Sequence, residues 1–231
     1  MTKPVNQYLF SRKTLVLVSL LAGWALTAAY DPLNWHFLAA LMPGVLYFFT
    51  LRRFDKGLLF YGALFAMAHF FTSFSWLSTI EPLAYLNPFL MALAWLPHIA
   101  LWLWLTRKFH AFLVFPQAGE PRSEAGPDRF VLSLPRQLLL VVVSCSFWCL
   151  QEWFRTWFWT GFPWNLLGYS QAYQPGVRTI ASSFGVLGVS FFLMSLNMAL
   201  ATIGEQAYWK SFCEGQKKWQ LKSLLLFVPA V

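Results

Sequence analysis

The stretch that decides the fold reads Leu86-Asn87-Pro88-Phe89-Leu90-Met91-Ala92-Leu93-Ala94-Trp95-Leu96-Pro97-His98-Ile99-Ala100-Leu101-Trp102-Leu103-Trp104-Leu105. It passes without one Asp, Glu, Lys or Arg. As a helix it rises about 30 Å, which matches the hydrocarbon core of a bilayer. Leu, Ala, Trp and Phe occupy every face, so no side is left for water. A helix that is apolar all round belongs inside a large core or inside lipid.

The same signal recurs on both sides of this run. Residues 14–29, 33–51, 57–80, 86–105, 138–154 and 177–203 read as six complete spans, and 223–231 opens a seventh. The expected fold is all-α, a polytopic transmembrane helix bundle. Composition agrees: 58% of the chain is hydrophobic and 11% charged, against about 25% charged in soluble domains. Residues 223–231 rise only about 13 Å, so the sequence reads as a fragment whose last span stops inside the bilayer.

The net charge of +8 would suit a polyanion if the basic residues were clustered. They instead flank the apolar runs, so no nucleic-acid partner is expected. Taken over alternate connections, fifteen of the 17 basic residues fall on one side of the membrane. They are Lys3, Arg12 and Lys13; Arg52, Arg53 and Lys56; Arg107, Lys108, Arg122, Arg129 and Arg136; and Lys210, Lys217, Lys218 and Lys222. Only Arg155 and Arg178 fall on the other side. Basic connections stay in the cytoplasm, so the N-terminus is expected there. The stretch 106–137, with Pro116, Gly119, Pro121, Gly126 and Pro127, reads as a cytoplasmic loop. An alternative for 14–29 is a cleaved signal segment ending near Thr27-Ala28-Ala29, which leaves the remaining topology unchanged.

Three cysteines make no disulfide framework. Cys145 and Cys149 lie one helical turn apart in an apolar run and read as small packing residues. Cys213 falls in a polar stretch. No metal site and no cofactor follow from these spacings.

One region carries more than hydropathy: Gln151-Glu152-Trp153-Phe154-Arg155-Thr156-Trp157-Phe158-Trp159-Thr160-Gly161-Phe162-Pro163-Trp164-Asn165-Leu166-Leu167-Gly168-Tyr169-Ser170-Gln171. Gly161, Pro163 and Gly168 forbid a continuous helix. Residues 155–176 therefore read as an external aromatic segment between the fifth and sixth spans. An aromatic belt at the headgroup level explains the tryptophans. It does not explain Glu152 and Arg155 at i, i+3, where charge is costly and usually paired. Nor does it explain Asn165, Tyr169 and Gln171 after the Gly-Phe-Pro-Trp turn. A cleft at the membrane surface, taking lipid headgroups or acyl chains, would use such groups. Its candidate residues are Glu152, Arg155, Pro163, Trp164, Asn165, Tyr169 and Gln171.

The motifs Glu152-Trp153-Phe154-Arg155, Thr160-Gly161-Phe162-Pro163-Trp164 and Gly168-Tyr169-Ser170-Gln171, followed by Phe184-Gly185-Val186-Leu187-Gly188-Val189-Ser190-Phe191, resemble bacterial apolipoprotein N-acyltransferase. The resemblance implies an enzyme of the inner (cytoplasmic) membrane. Its partners would be a phospholipid acyl donor and a lipoprotein acceptor, whose N-terminal diacylglyceryl-cysteine is acylated on the α-amino group. It further implies a Cys nucleophile assisted by a Glu base and a Lys, carried by a nitrilase-like domain. No position of this sequence matches that Glu, Lys or Cys. No catalytic residue is therefore assigned, and the chain is expected to be the membrane portion only, inactive alone.

Ala181, Gly185 and Gly188 place small residues on one face of the sixth span, as close helix packing requires. A competing class rests on His69 and His98. Both sit about 17 to 18 Å from the outer ends of adjacent antiparallel spans, the equal depth that a bis-histidine haem or a proton relay needs. The alternative is two separate, hydrogen-bonded histidines. A transporter fits the hydropathy, but no internal repeat supports it.

Overall fold

Prolines and one capping hydroxyl mark where the helices begin. Ser11 accepts the Thr14 N–H at 3.1 Å and caps the first helix. Pro43, Pro88 and Pro135 each fall in a first helical turn, where a missing N–H costs nothing. In the computed structural model the described residues are 10–51, 53, 55–79, 86–115, 130–158 and 161–214, with side chains described as far as 211. They form α1 (Arg12–Thr27), α2 (Met42–Phe49), α3 (Gly57–Ser73), α4 (Asn87–Val114), α5 (Leu134–Trp157) and α6 (Pro175–Glu214). Short 3-10 turns lie at His36–Ala40, Ser75–Thr79 and Leu167–Gln171. Among the described residues there is no strand.

The helices close into a ring. In spatial order α1 packs on α3, α3 on α4, α4 on α5, α5 on α6, α6 on α2, and α2 back on α1. Close approach is purchased with glycine: a Cβ on Gly62 of α3 would stand 2.6 Å from the Ala100 Cα of α4. Gly23 of α1 meets the Phe65 carbonyl of α3 in the same way. Contacts this close let backbones pack where lipid supplies no hydrophobic drive between helices.

Polarity is inverted relative to a soluble protein. Leu17, Trp24, Phe60, Phe112, Leu138, Leu150, Phe184 and Ile203 are exposed, while Arg107, His110, Glu152, Arg155, Asn197 and Glu205 are buried. Apolar surface outward with ionisable groups facing the bundle interior suits lipid as the solvent. Three helices, α4, α5 and Pro175–Ser211 of α6, are long and apolar enough to cross a membrane; His36–Phe49 and Gly57–Ser73 are shorter apolar helices.

Several boundaries differ from those read in the sequence. The stretch 33–51 divides into the turn His36–Ala40 and α2, and 57–80 divides into α3 and the turn Ser75–Thr79. Helix α4 runs on to Val114, α5 begins at Leu134, and α6 runs on to Glu214. The expected loop 106–137 is thus helical at both ends, with 116–129 outside the described residues.

The reason is a buried ion pair. Arg107 Nη1 donates to both carboxylate oxygens of Glu205, at 3.2 and 3.3 Å. Nη1 also reaches His110 Nδ1 at 3.1 Å, Nε reaches Thr50 Oγ1 at 3.3 Å, and Nη2 bonds the Tyr47 carbonyl. The guanidinium stacks 3.6 Å from the Tyr47 ring centroid. Residues that mark a water-facing loop by charge alone are instead sealed against each other between α2, α4 and α6. The stretch 223–231 and the Cys213 side chain lie outside the described residues.

Candidate lipid-facing site

The segment after α5 folds back and plugs one end of the ring. Its first reversal rests on Gly161, at φ 68°, a conformation that glycine adopts without steric cost. There the Phe162 N–H donates to the Arg155 carbonyl at 2.8 Å. Asn165, at φ 54°, makes the second reversal. Asparagine is one of the few residues with a side chain that enter this region readily.

Buried polar groups then hold the segment down. Glu152, 0% exposed, accepts with Oε1 the Leu167 N–H at 2.6 Å and the Trp148 Nε1–H at 2.8 Å. The Ser190 hydroxyl also faces this carboxylate while accepting the Gly168 N–H at 2.9 Å. His36 Nδ1–H donates to the Ser170 carbonyl at 2.7 Å, and Gln171 Nε2 donates to the His36 carbonyl at 3.1 Å. The Tyr30 hydroxyl donates to the carbonyls of Asn165 and Leu166 at 3.4 and 3.3 Å. At the rim the Tyr173 hydroxyl donates to Asp31 Oδ2 at 3.0 Å. That hydrogen bond and the carboxylate charge hold the exposed phenol above its ordinary range.

The predicted residues consequently divide into two faces. Glu152, Arg155 and Gln171 are buried and Asn165 half-buried, all on the inner side. Trp164, at 53% exposed, and Tyr169, at 46%, face outward with Pro163. Trp153, Trp157 and Phe158 extend this outer aromatic surface. Behind it, Phe162 stacks on Trp95 with centroids 5.9 Å apart and meets Phe74 edge-on at 5.2 Å. Trp164 lies 5.6 Å from the Trp76 ring. The arrangement is a polar hinge with aromatic side chains outside, suited to holding apolar chains beside buried charge.

Glu152 and Arg155 do not meet as an i, i+3 ion pair; among the described residues no contact within 4.0 Å joins them. Glu152 Oε1 is taken by Leu167 and Trp148, and its Oε2 has no hydrogen-bond partner among the described residues. Arg155 lies with Cζ 5.2 Å from the Phe70 centroid and 5.9 Å from that of Trp95. Its one hydrogen bond runs from Nη2 to the Asn165 carbonyl, at 3.5 Å.

The expected small-residue face of the sixth span takes another form. Gly185, at φ 67°, forms a kink inside α6, and a Cβ there would touch nothing within 4 Å. A Cβ on Gly188 would meet only Phe184 of the same helix, and Ala181 packs part-buried on the core. Glycines that admit close approach to α6 are Gly168, which meets the Val186 carbonyl, and Gly44 of α2, which meets the Asn197 carbonyl. The two histidines of the competing class are engaged separately. His69 Nδ1 lies 3.2 Å from Thr27 Oγ1 and 3.4 Å from Ser73 Oγ, and His98 Nδ1–H donates to the Trp95 carbonyl at 3.2 Å. Among the described residues no group of three or more His, Cys, Asp or Glu side chains could hold a metal ion.

Tyr30, His36 and Ser190 were not legible as site residues. The first two lie about 135 positions from their partners in sequence, and no local spacing marks such contacts.

A ring of helices with apolar outer faces, closed at one end by an aromatic loop over buried charge, defines an integral membrane protein. The apolipoprotein N-acyltransferase N-terminal domain matches residues 22–199, and the chain belongs to that family. It is 31% identical over 183 residues to an apolipoprotein N-acyltransferase of Methylococcus capsulatus, covering 78% of this chain and 33% of that protein. It is 29% identical over 233 residues to one of Vibrio parahaemolyticus, covering 96% of this chain and 38% of that protein. One of Shewanella oneidensis is 39% identical over 97 residues, 42% of this chain and 15% of that protein. The chain thus spans 33% and 38% of the length of the first and second of these relatives.

Proposed function

We propose that this chain is the membrane portion of a phospholipid-dependent apolipoprotein N-acyltransferase. In this reading a phospholipid supplies the acyl chain, and the acceptor is the α-amino group of a lipoprotein's N-terminal diacylglyceryl-cysteine. The six stretches read as spans in the sequence cross the bacterial inner membrane, with the N-terminus cytoplasmic and residues 155–176 external. The charge asymmetry supports that orientation, because fifteen of the 17 basic residues fall on one side. The part that this chain plays is to admit lipid substrates at the outer surface, beside the catalytic Cys, Glu and Lys that the family resemblance implies.

The observation that carries the proposal is the division of residues 152–171 into a buried polar hinge and an outward aromatic surface. An aromatic belt alone needs only the outward surface. Glu152, Leu167, Ser190, His36 and Gln171 hold it in one position, and rigid placement of a binding surface raises affinity by lowering the ordering cost. The test is Trp164→Ala and Tyr169→Ala at the matching positions of a full-length relative, assayed for transfer from phospholipid to a diacylated lipopeptide. Both variants insert normally and lose activity about tenfold, roughly the 1.4 kcal/mol of one lost aromatic contact. Wild-type turnover in both would reduce the segment to an anchoring belt.

A further inference from the structure

Three arginines are buried among the described residues, and two of them, Arg107 and Arg155, differ in how their guanidinium donors are satisfied. Arg107 is closed: Nε, Nη1 and Nη2 all have acceptors, and Glu205 balances the charge with both oxygens. Arg155 is open. It is only 2% exposed, yet among the described residues its Nε and Nη1 have no hydrogen-bond partner, and its Nη2 has only the Asn165 carbonyl at 3.5 Å. Glu152 gives Arg155 no hydrogen bond: its Oε1 is taken by Trp148 and Leu167, and its buried Oε2 has no partner among the described residues, so the carboxylate acts on the guanidinium only through space. Trp95, whose ring lies beside the same guanidinium, also has a buried Nε1–H without a partner.

A buried guanidinium with free donors is expensive unless an acceptor reaches it. Its planar fork matches an oxyanion with two acceptor oxygens, above all a phosphate or a carboxylate. The Phe70 and Trp95 rings beside the guanidinium offer it no acceptor of that kind. The position also fits a lipid. Arg155 lies in the last turn of α5, at the end of the ring that carries the exposed Trp153, Trp157 and Phe158 on its outer face.

We propose that Arg155, with the Trp95 indole N–H, forms a buried oxyanion site that takes the phosphate of a phospholipid. The site deepens the lipid-cleft reading given above. Its test reads phosphate binding rather than acyl transfer, so the two can fail separately.

The experiment uses the whole chain, delipidated in a non-ionic detergent. Native mass spectrometry compares retention of phosphatidylglycerol with that of a diacylglycerol of the same acyl chains, with and without inorganic phosphate as competitor. The wild type retains the phospholipid about tenfold more than the diacylglycerol, and Arg155→Gln removes the preference. Arg107→Gln keeps the preference, because that arginine is already satisfied. Competition by inorganic phosphate in the wild type, absent in Arg155→Gln, would assign the site to the phosphate group whatever carries it. No competition, with the preference still Arg155-dependent, would assign it to the lipid headgroup alone. Where Arg155→Gln does not fold, Trp95→Phe keeps the guanidinium and the ring and lowers the preference about threefold. A phospholipid preference unchanged in Arg155→Gln, or in Trp95→Phe, overturns the assignment.

Discussion

The Leu167 N–H donates to Glu152 Oε1 at 2.6 Å, and this bond ties the start of the turn Leu167–Gln171 to the last turns of α5. The same oxygen accepts the Trp148 indole N–H at 2.8 Å. Glu152→Ala leaves both donors buried and unpaired, at a cost of about 1–3 kcal/mol each. Glu152→Gln retains an acceptor oxygen and costs less. Chemical unfolding in detergent, followed by near-ultraviolet circular dichroism, measures the order: wild type, then Gln, then Ala. Equal stability of Ala and Gln would remove this carboxylate from its anchoring role.

The second buried charge centre makes a separate prediction about stability. Arg107→Ala strands Glu205 in the core and destabilises the chain by about 3–5 kcal/mol, as does Glu205→Ala. Replacing both by Met and Leu costs much less than the two single losses combined, because a buried pair is offset by its own desolvation. A double-mutant cycle on unfolding in detergent checks this. Additive losses would mean that the two side chains do not interact.

Gly62 tests the helix ring. A side chain there points into the Ala100 backbone, so Gly62→Leu forces α3 from α4 and costs about 1–3 kcal/mol or more. Gly176, where an added Cβ meets nothing within 4 Å, tolerates Ala. Thermal aggregation midpoints of the two variants make the comparison.

Three of the expected spans were legible as long apolar helices: 86–105 matches α4 apart from Leu86, 138–154 falls inside α5, and 177–203 inside α6. The helix ends were not. Arg107 and Glu205 look like loop residues one at a time, but they meet across 98 positions where α4 and α6 run on beyond the apolar run. The candidate site was legible in its composition, since Glu152, Arg155, Asn165 and Gln171 do gather at one end of the ring. Their geometry was not. The i, i+3 spacing suggests an ion pair, but the Leu167 N–H and the Trp148 indole claim Glu152 instead. Gly185 reads as a packing residue from its spacing, and only the backbone shows that it bends α6.

Orientation gives a further prediction. Reporter fusions after Lys56, at Gly126 and at Gly215 should read cytoplasmic, and fusions near Tyr85 or Gln171 external, following the charge asymmetry. An external reading at Gly126 would contradict the helix count.

The most direct measurement of the central claim is a domain exchange. Residues 22–199, the stretch matching the family, replace the matching stretch of a full-length relative. The purified chimera is then given phospholipid and a diacylated lipopeptide, and the triacylated product is measured by mass spectrometry. The account predicts acyl transfer by the chimera, reduced about tenfold when Trp164 and Tyr169 are replaced by Ala. A chimera that inserts and folds but transfers no acyl chain would contradict it.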